Sequence, residues 1–229
     1  MVLNLTQSCA IIHSLTLPST PQSAIDLIKS DTKVKVFQKG EFVLISEQEV
    51  QFVFGINSGM AKFYFMDHFG NEFTIKILKA GDVFGYRHII ENELFSGYMQ
   101  IIETAEVCSM SKNVFLKLLE EEITVNRRLI DNLCGDIRTA KETIANLSLK
   151  DVKHRICSIL IKLHKQFSMP GSDDINVDLS REDFAKLVGV ARESLSRSLS
   201  ELANEKIIFL DKKRIKVLDW IKLHQFSKI

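Results

Sequence analysis

Residues 180–202 read SREDFAKLVGVARESLSRSLSEL, and their hydrophobic spacing decides the architecture. Phe184, Leu187 and Val188 give a first short helix its apolar face, and Leu195, Leu199 and Leu202 repeat on one face of a second. Gly189 falls between them, where a tight turn needs a residue free to take positive φ. Ser180 followed by Asp183 approximates an N-terminal capping box, with aspartate in place of glutamate or glutamine. On the second helix Arg192, Glu193, Ser196 and Arg197 fall opposite the leucines. A merely solvated face more often carries Lys/Glu pairs four residues apart. Forked cations, a carboxylate and a hydroxyl match what base edges offer in a major groove. Arginine suits the O6/N7 edge of guanine, and a carboxylate accepts from cytosine N4.

Beyond this stretch, IIFL (207–210) and RIKVL (214–218) flank the basic turn DKKR (211–214). Two helices through a glycine turn followed by a basic hairpin form a winged helix-turn-helix. Before it, DVKHRICSILIKLHKQF (151–167) is an amphipathic helix, and SMPGSDD (168–174) reads as a polar loop. The charge agrees with a polyanion partner for this part alone. Residues 150–229 hold 16 Lys/Arg against 11 Asp/Glu, whereas residues 1–149 hold 14 against 18, so a net +1 conceals a basic end and an acidic beginning.

Further upstream, TVNRRLIDNLCGDIRTAKETIANLSL (124–149) places Ile130, Leu133, Ile137, Ala140, Ile144 and Leu147 at spacings of 3, 4, 3, 4, 3. That is the narrow a/d seam of a coiled coil, and a second copy of the chain is the simplest partner. Ser111 is the expected N-cap of a preceding helix bearing Val114, Phe115, Leu118 and Leu119. From Lys33 to about Met110 the period changes to that of strands: KVKVFQ, QFVFGI, MAKFYFM, EFTIKIL and YMQIIET are short β-rich runs punctuated by glycines. MDHFGNE (66–72) reads as a hairpin turn, with Gly70 and Asn71 suited to positive φ. A short helix over 20–30 precedes the strands. The fold expected is α+β: an N-terminal antiparallel β-roll of jelly-roll type, a long central dimerisation helix, and a C-terminal winged helix-turn-helix. The expected domains are 1–110, 111–149 and 150–229.

Composition removes other classes. Hydrophobic residues make up 45% and charged residues 26%, enough for a folded core. No run reaches membrane-spanning length, and the N-terminus lacks the pattern of a signal peptide, so a cytoplasmic protein is expected. Cys9, Cys108, Cys134 and Cys157 form no CxxC pair, and no metal site is expected. The histidines at 13, 68, 88, 154, 164 and 224 supply no G-x-H-x-H set, which argues against a cupin-like metalloenzyme. A β-roll module that no longer binds DNA is the other alternative.

With these segments in order, the chain resembles the Crp/Fnr family of bacterial transcription regulators over nearly its whole length. The most specific match is ARESLSRSL (191–199), similar to the family's R-E-x-x-x-R recognition helix. The resemblance implies that Arg192, Glu193, Ser196 and Arg197 read bases and that Ser180, Arg181, Ser194 and Lys213 meet phosphates. It implies a homodimer on palindromic double-stranded DNA, with RNA polymerase as a further partner. AGDVFGYRHII (80–90) resembles the phosphate-binding segment of cyclic-AMP-binding members, and FSGYMQIIETAEV (95–107) the strand that follows it. The corresponding effector pocket is Gly85, Tyr86, Arg87, Phe95 and Ser96. Here the chain departs from the family. Tyr86 stands in place of the ribose-holding glutamate, and Phe95 in place of the arginine that neutralises the cyclic phosphate; Arg87 is the nearest substitute cation. An unpaired buried phosphate is costly, so cyclic AMP is not expected as effector. The cysteine cluster of oxygen-sensing members is absent, and Cys9 alone cannot hold an iron–sulfur cluster. Met66, His68, His88 and Cys108 are residue types able to ligate haem. The effector is thus open: haem or nitric oxide sensing, another metabolite, or a lost response.

Overall fold

The structure is a computed structural model describing residues 9–168, 171–175, 179–211 and 214–227. The chain divides into two compact units, Met1–Ile137 and Arg138–Ile229.

The first unit begins with two helices, α1 (Ala10–Leu15) and α2 (Gln22–Asp31). Six strands follow: β1 (Lys33–Phe37), β2 (Phe42–Leu44), β3 (Phe52–Met66), β4 (Glu72–Lys79), β5 (Val83–Phe84) and β6 (Tyr98–Ser111). They pair antiparallel in the order β1-β6-β3-β4, with β2 on β6 and β5 on β3. This is the expected antiparallel domain, built from fewer and longer strands than the glycine punctuation suggested. QFVFGI and MAKFYFM belong to one 15-residue strand. Gly55 and Gly59 do not end it. The register of β3 on β6 shifts at three places between Ile56 and Ala61, the irregularity that bends a strand without breaking it. At Gly59 φ is +79°, and a Cβ would lie 2.3 Å from the Thr104 carbonyl oxygen, so the close crossing of β6 excludes a side chain there.

The 66–72 hairpin turns as expected at Gly70, where φ is +85°, but Asn71 has no positive φ. Asp67 closes the turn instead, accepting from Phe69 N at 2.8 Å, Asn71 N at 2.9 Å and Asn71 Nδ2 at 2.9 Å. A short helix the sequence pattern missed, α3 (Tyr86–Glu91), follows β5. Gly85 starts it at φ +90°, where a Cβ would meet Phe52 O at 2.9 Å.

Ser111 caps α4 (Lys112–Glu121) as expected, its hydroxyl accepting from Val114 N. Phe115 and Leu118 of α4 close the core above Ile11, Ile28, Ile56 and Met110. The long helix α5 (Ile123–Leu149) then carries two apolar faces. Val125 and Leu129 are buried in the sheet core, with Leu133 packed partly against it. Ile130, Ile137, Ala140, Ile144 and Leu147 face outward.

In the second unit Asp151 caps α6 (Val152–Phe167). Its core gathers Ile156 and Leu160 with Phe184, Leu195, Leu199 and Leu202 of α7 (Arg181–Val188) and α8 (Arg192–Asn204). A three-stranded sheet orders β7 (Asp174–Ile175), β9 (Arg214–Val217) and β8 (Ile208–Asp211). The 168–174 segment, expected as loop, supplies β7 at its end. The chain closes with α9 (Trp220–Ser227), which the periodicity did not reveal; Trp220 Nε1 donates to Asp173 Oδ1 at 2.7 Å. Among the described residues no helix is long and apolar enough to cross a membrane.

Candidate functional site

The turn between α7 and α8 forms as its sequence dictates. Gly189 ends α7 in the left-handed region, φ 73° and ψ 48°, and its N–H donates to Ala185 O at 2.9 Å. Ser180 caps α7: its Oγ accepts from Asp183 N at 3.0 Å and donates to an Asp183 carboxylate oxygen at 2.6 Å. The hydroxyl's only proton is therefore spent on Asp183. A phosphate contact from Ser180 Oγ requires that bond to open. Arg181 is half-buried along an apolar wall formed by Leu160, Leu163, Leu179, Phe184 and Ile215, and burial lowers its pKa.

On α8 the leucines and Ser198 are buried, while Arg192, Glu193, Ser196 and Arg197 are exposed. The sequence places these four on one free face, and the structure does the same. Among the described residues, no ion pair or side-chain hydrogen bond engages Arg192, Glu193 or Arg197. Ser196 Oγ donates to Arg192 O at 2.9 Å, which leaves its lone pairs toward solvent. Ser194 is half-buried at the edge of the face. The wing strands β8 and β9 are present, with Arg214 and Lys216 exposed. Lys213 lies outside the described residues. An exposed helix face with two guanidiniums, a carboxylate and a hydroxyl can hydrogen-bond base edges and phosphates.

The effector segment is arranged differently. Tyr86 is buried, and its hydroxyl donates to Asp136 Oδ2 of α5 at 2.7 Å. Burial, then the adjacent carboxylate, raises the phenol's pKa. Lys76 Nζ reaches the other oxygen of Asp136 at 3.3 Å. Phe95, only 3% exposed, packs its ring 4.7 Å from His88 and 5.7 Å from Phe63. Arg87 is engaged on three sides: an ion pair with Glu91, a bond from Nη2 to His88 Nε2 at 2.9 Å, and a longer one to Ser96 Oγ at 3.4 Å. His88 is buried. Desolvation, reinforced by Arg87 and opposed by Glu91, lowers its pKa to about 4, so the ring is neutral and Nε2 accepts.

Asp136 and His88 were invisible as partners in the sequence. Tyr86 and Asp136 stand 50 residues apart, and no spacing rule joins them. The Arg87–Glu91 spacing of i, i+4 was a readable signal for the ion pair. The four residues of types able to ligate haem are dispersed in role: Met66 and His68 are exposed at the hairpin, His88 is packed on Phe95, and Cys108 is buried beside Cys9. Among the described residues no three His, Cys, Asp or Glu side chains form a metal-binding group.

Comparison with known proteins matches both halves. Residues 34–122 match the cyclic nucleotide-binding domain family, and residues 154–226 match the Crp-like helix-turn-helix domain family. The chain is 25% identical over 227 residues to the fumarate and nitrate reduction regulatory protein of Vibrio cholerae, covering 97% of this chain and 90% of that protein. It is 25% identical over 172 residues to the cAMP-activated global transcriptional regulator of Salmonella typhimurium, covering 74% and 82%. In fold it is similar to FixK2 from Bradyrhizobium japonicum, with a TM-score of 0.79 at 20% identity, covering 86% of this chain and 98% of that one.

Proposed function

Because this chain belongs to the Crp/Fnr family of transcription regulators, and is a helix-turn-helix DNA-binding regulator rather than an enzyme, we propose that it binds an inverted-repeat site as a homodimer. The observation that carries this reading is the free polar face of α8. Arg192, Glu193, Ser196 and Arg197 read base edges, and Arg197 reads a guanine. Ser194, Arg181, Lys213 and, once freed from Asp183, Ser180 meet phosphates and set position. The exposed seam of α5 pairs two copies. Ile137 is 55% and Ile144 64% exposed in the single chain, a cost that a partner helix removes. Residues 1–110 sense, 111–149 dimerise and 150–229 bind DNA. The protein works in the cytoplasm, with RNA polymerase as a further partner.

The β-roll answers to a small effector other than cyclic AMP. Phe95 offers a phosphate no charge, Tyr86 is bonded to Asp136, and Arg87 is already neutralised by Glu91. Binding-site selection with the purified full chain, with and without cyclic AMP, tests both halves. The expected pool is an inverted repeat with TGTGA- or TTGAT-like half-sites about 34–36 Å apart, one turn of DNA, and identical in the two arms. A pool with no inverted repeat overturns the DNA reading. Enrichment only with cyclic AMP overturns the effector reading.

A further inference from the structure

Two thiols belong to neither surface described above. Cys9 stands at the N-cap of α1 and Cys108 lies in β6, 99 residues later, yet their Sγ atoms are 3.7 Å apart. Both are buried and both are free. The surrounding packing holds them together. Ala10 N donates to Asn57 Oδ1 at 2.9 Å, and Asn57 Nδ2 donates to Glu106 Oε1 at 2.9 Å, which clips the start of α1 to the sheet beside Cys108. Residue 55 can only be small here. A Cβ at Gly55 would come within 2.9 Å of both Cys108 Sγ and Ala10 Cβ. At its other end α1 gives the Ser14 carbonyl to Asn132 Nδ2 of α5 at 2.9 Å. The helix therefore bridges the thiol pair and the long helix.

We infer that Cys9 and Cys108 are a dithiol that closes to a reversible intramolecular disulfide, with a hydroperoxide such as hydrogen peroxide as oxidant. The Cys9 thiolate attacks one peroxide oxygen. The O–O bond breaks, hydroxide leaves, and Cys9 becomes a sulfenic acid. Cys108 sulfur then attacks Cys9 sulfur. The S–S bond forms as the S–O bond breaks, and the hydroxyl departs with the Cys108 proton as water. Each sulfur gives up one electron, and the peroxide takes both. With the proton first released from Cys9, the products are one disulfide and two waters. Two equivalents of an external thiol reverse the reaction by exchange. The environment divides the two roles. The thiol–thiol contact lowers the pKa of Cys9 against the opposing effect of burial, while the same contact and burial raise that of Cys108. Closure brings the two sulfurs from 3.7 Å to a bond of about 2.05 Å.

The test uses the reduced full-length protein, treated with hydrogen peroxide, blocked with N-ethylmaleimide under denaturing conditions and weighed intact. The expected product is a monomer that has lost two hydrogens and takes up label on two of its four cysteines, Cys134 and Cys157. Its protease digest contains a peptide pair joining Cys9 to Cys108, and dithiothreitol restores all four thiols. Cys9→Ser, with an unchanged circular dichroism spectrum, should lose the linked pair, and Cys134→Ser should keep it. Four labelled cysteines in the peroxide-treated wild type overturn the inference. So do linked peptides that involve only Cys134 of two chains. Mapping of the wild type needs no variant to fold.

Discussion

The chain uses arginine in two opposite ways. On α8, Arg192 and Arg197 stand exposed with no internal acid engaging them among the described residues. On α3, Arg87 is bound to Glu91, His88 and Ser96 before any ligand arrives. The carboxylates mirror this: Glu193 is exposed on its helix, whereas Asp136 holds Tyr86 and Lys76. A cation meant for an outside anion is most useful when it costs nothing to release, because each internal partner must first be broken. The first region is built to be read from outside. The second is engaged by its own side chains, although His88 Nδ1 is buried without a hydrogen-bond partner among the described residues. Substitutions on α8 should therefore alter DNA binding and spare stability, and substitutions around α3 should do the reverse.

The largest effect tests whether the two regions are joined through a dimer. Ile137→Lys with Ile144→Lys puts charges into the exposed seam. The double variant should sediment as a monomer at micromolar concentration and lose on the order of a hundredfold in affinity for an inverted repeat, since two half-sites are no longer engaged together. A dimer that survives both lysines would move the interface off this seam.

Next comes Arg197→Ala. It should cost about 1–3 kcal/mol per half-site and relax the preference at one base pair. Its melting temperature should match wild type, because the side chain is exposed. Selection of the same site with unchanged information at every position would mean that α8 does not read bases through this residue.

The closed region should respond to pH. His88 has an ordinary pKa of 6.5 and a folded value of about 4. Between those values the unfolded chain binds the extra proton and the folded chain does not. The stabilisation is therefore complete above pH 6.5 and is lost as pH falls toward 4, by roughly 2–3 kcal/mol. His88→Gln should flatten this part of the acid limb in denaturant titrations. An unchanged limb would show that His88 does not hold its proton off.

The smallest effect is that of Tyr86→Phe. It deletes the hydroxyl bonded to Asp136 but leaves that carboxylate exposed to water, so about 1 kcal/mol of stability should go. Sequence preference on DNA should not change. A shifted preference would contradict the separation of the two regions.

The α8 face was legible in the sequence because its logic is local. A helix repeats every 3.6 residues, so burial of Leu195, Leu199 and Leu202 fixes where Arg192, Glu193 and Arg197 point. The same holds for the Ser111 cap, the Gly189 turn and the outward seam of α5. The strands were less legible. Gly55 and Gly59 look like breaks in the chain and are instead places where β6 or α1 comes too close for a side chain. Leu133 belongs by spacing to the seam, yet it leans partly on the sheet core, because a straight helix drifts relative to a heptad.

By itself, then, the sequence determined the order of domains, the winged helix-turn-helix and the residues on its free face, since each follows from periodicity and capping within a few residues. Through the family resemblance it also implied that two residues expected to hold a cyclic nucleotide, a glutamate and an arginine, are replaced by Tyr86 and Phe95. Only the tertiary structure decided which partners such side chains meet. Tyr86 turned to Asp136, Phe95 packed on His88 and Cys9 set against Cys108 are products of packing, whereas the exposed Arg87–Glu91 pair follows from its i, i+4 spacing. The three packing contacts join different segments of the fold, and each involves a buried side chain. Low dielectric and close contact make such pairings strong, and neither quantity exists until the chain has folded.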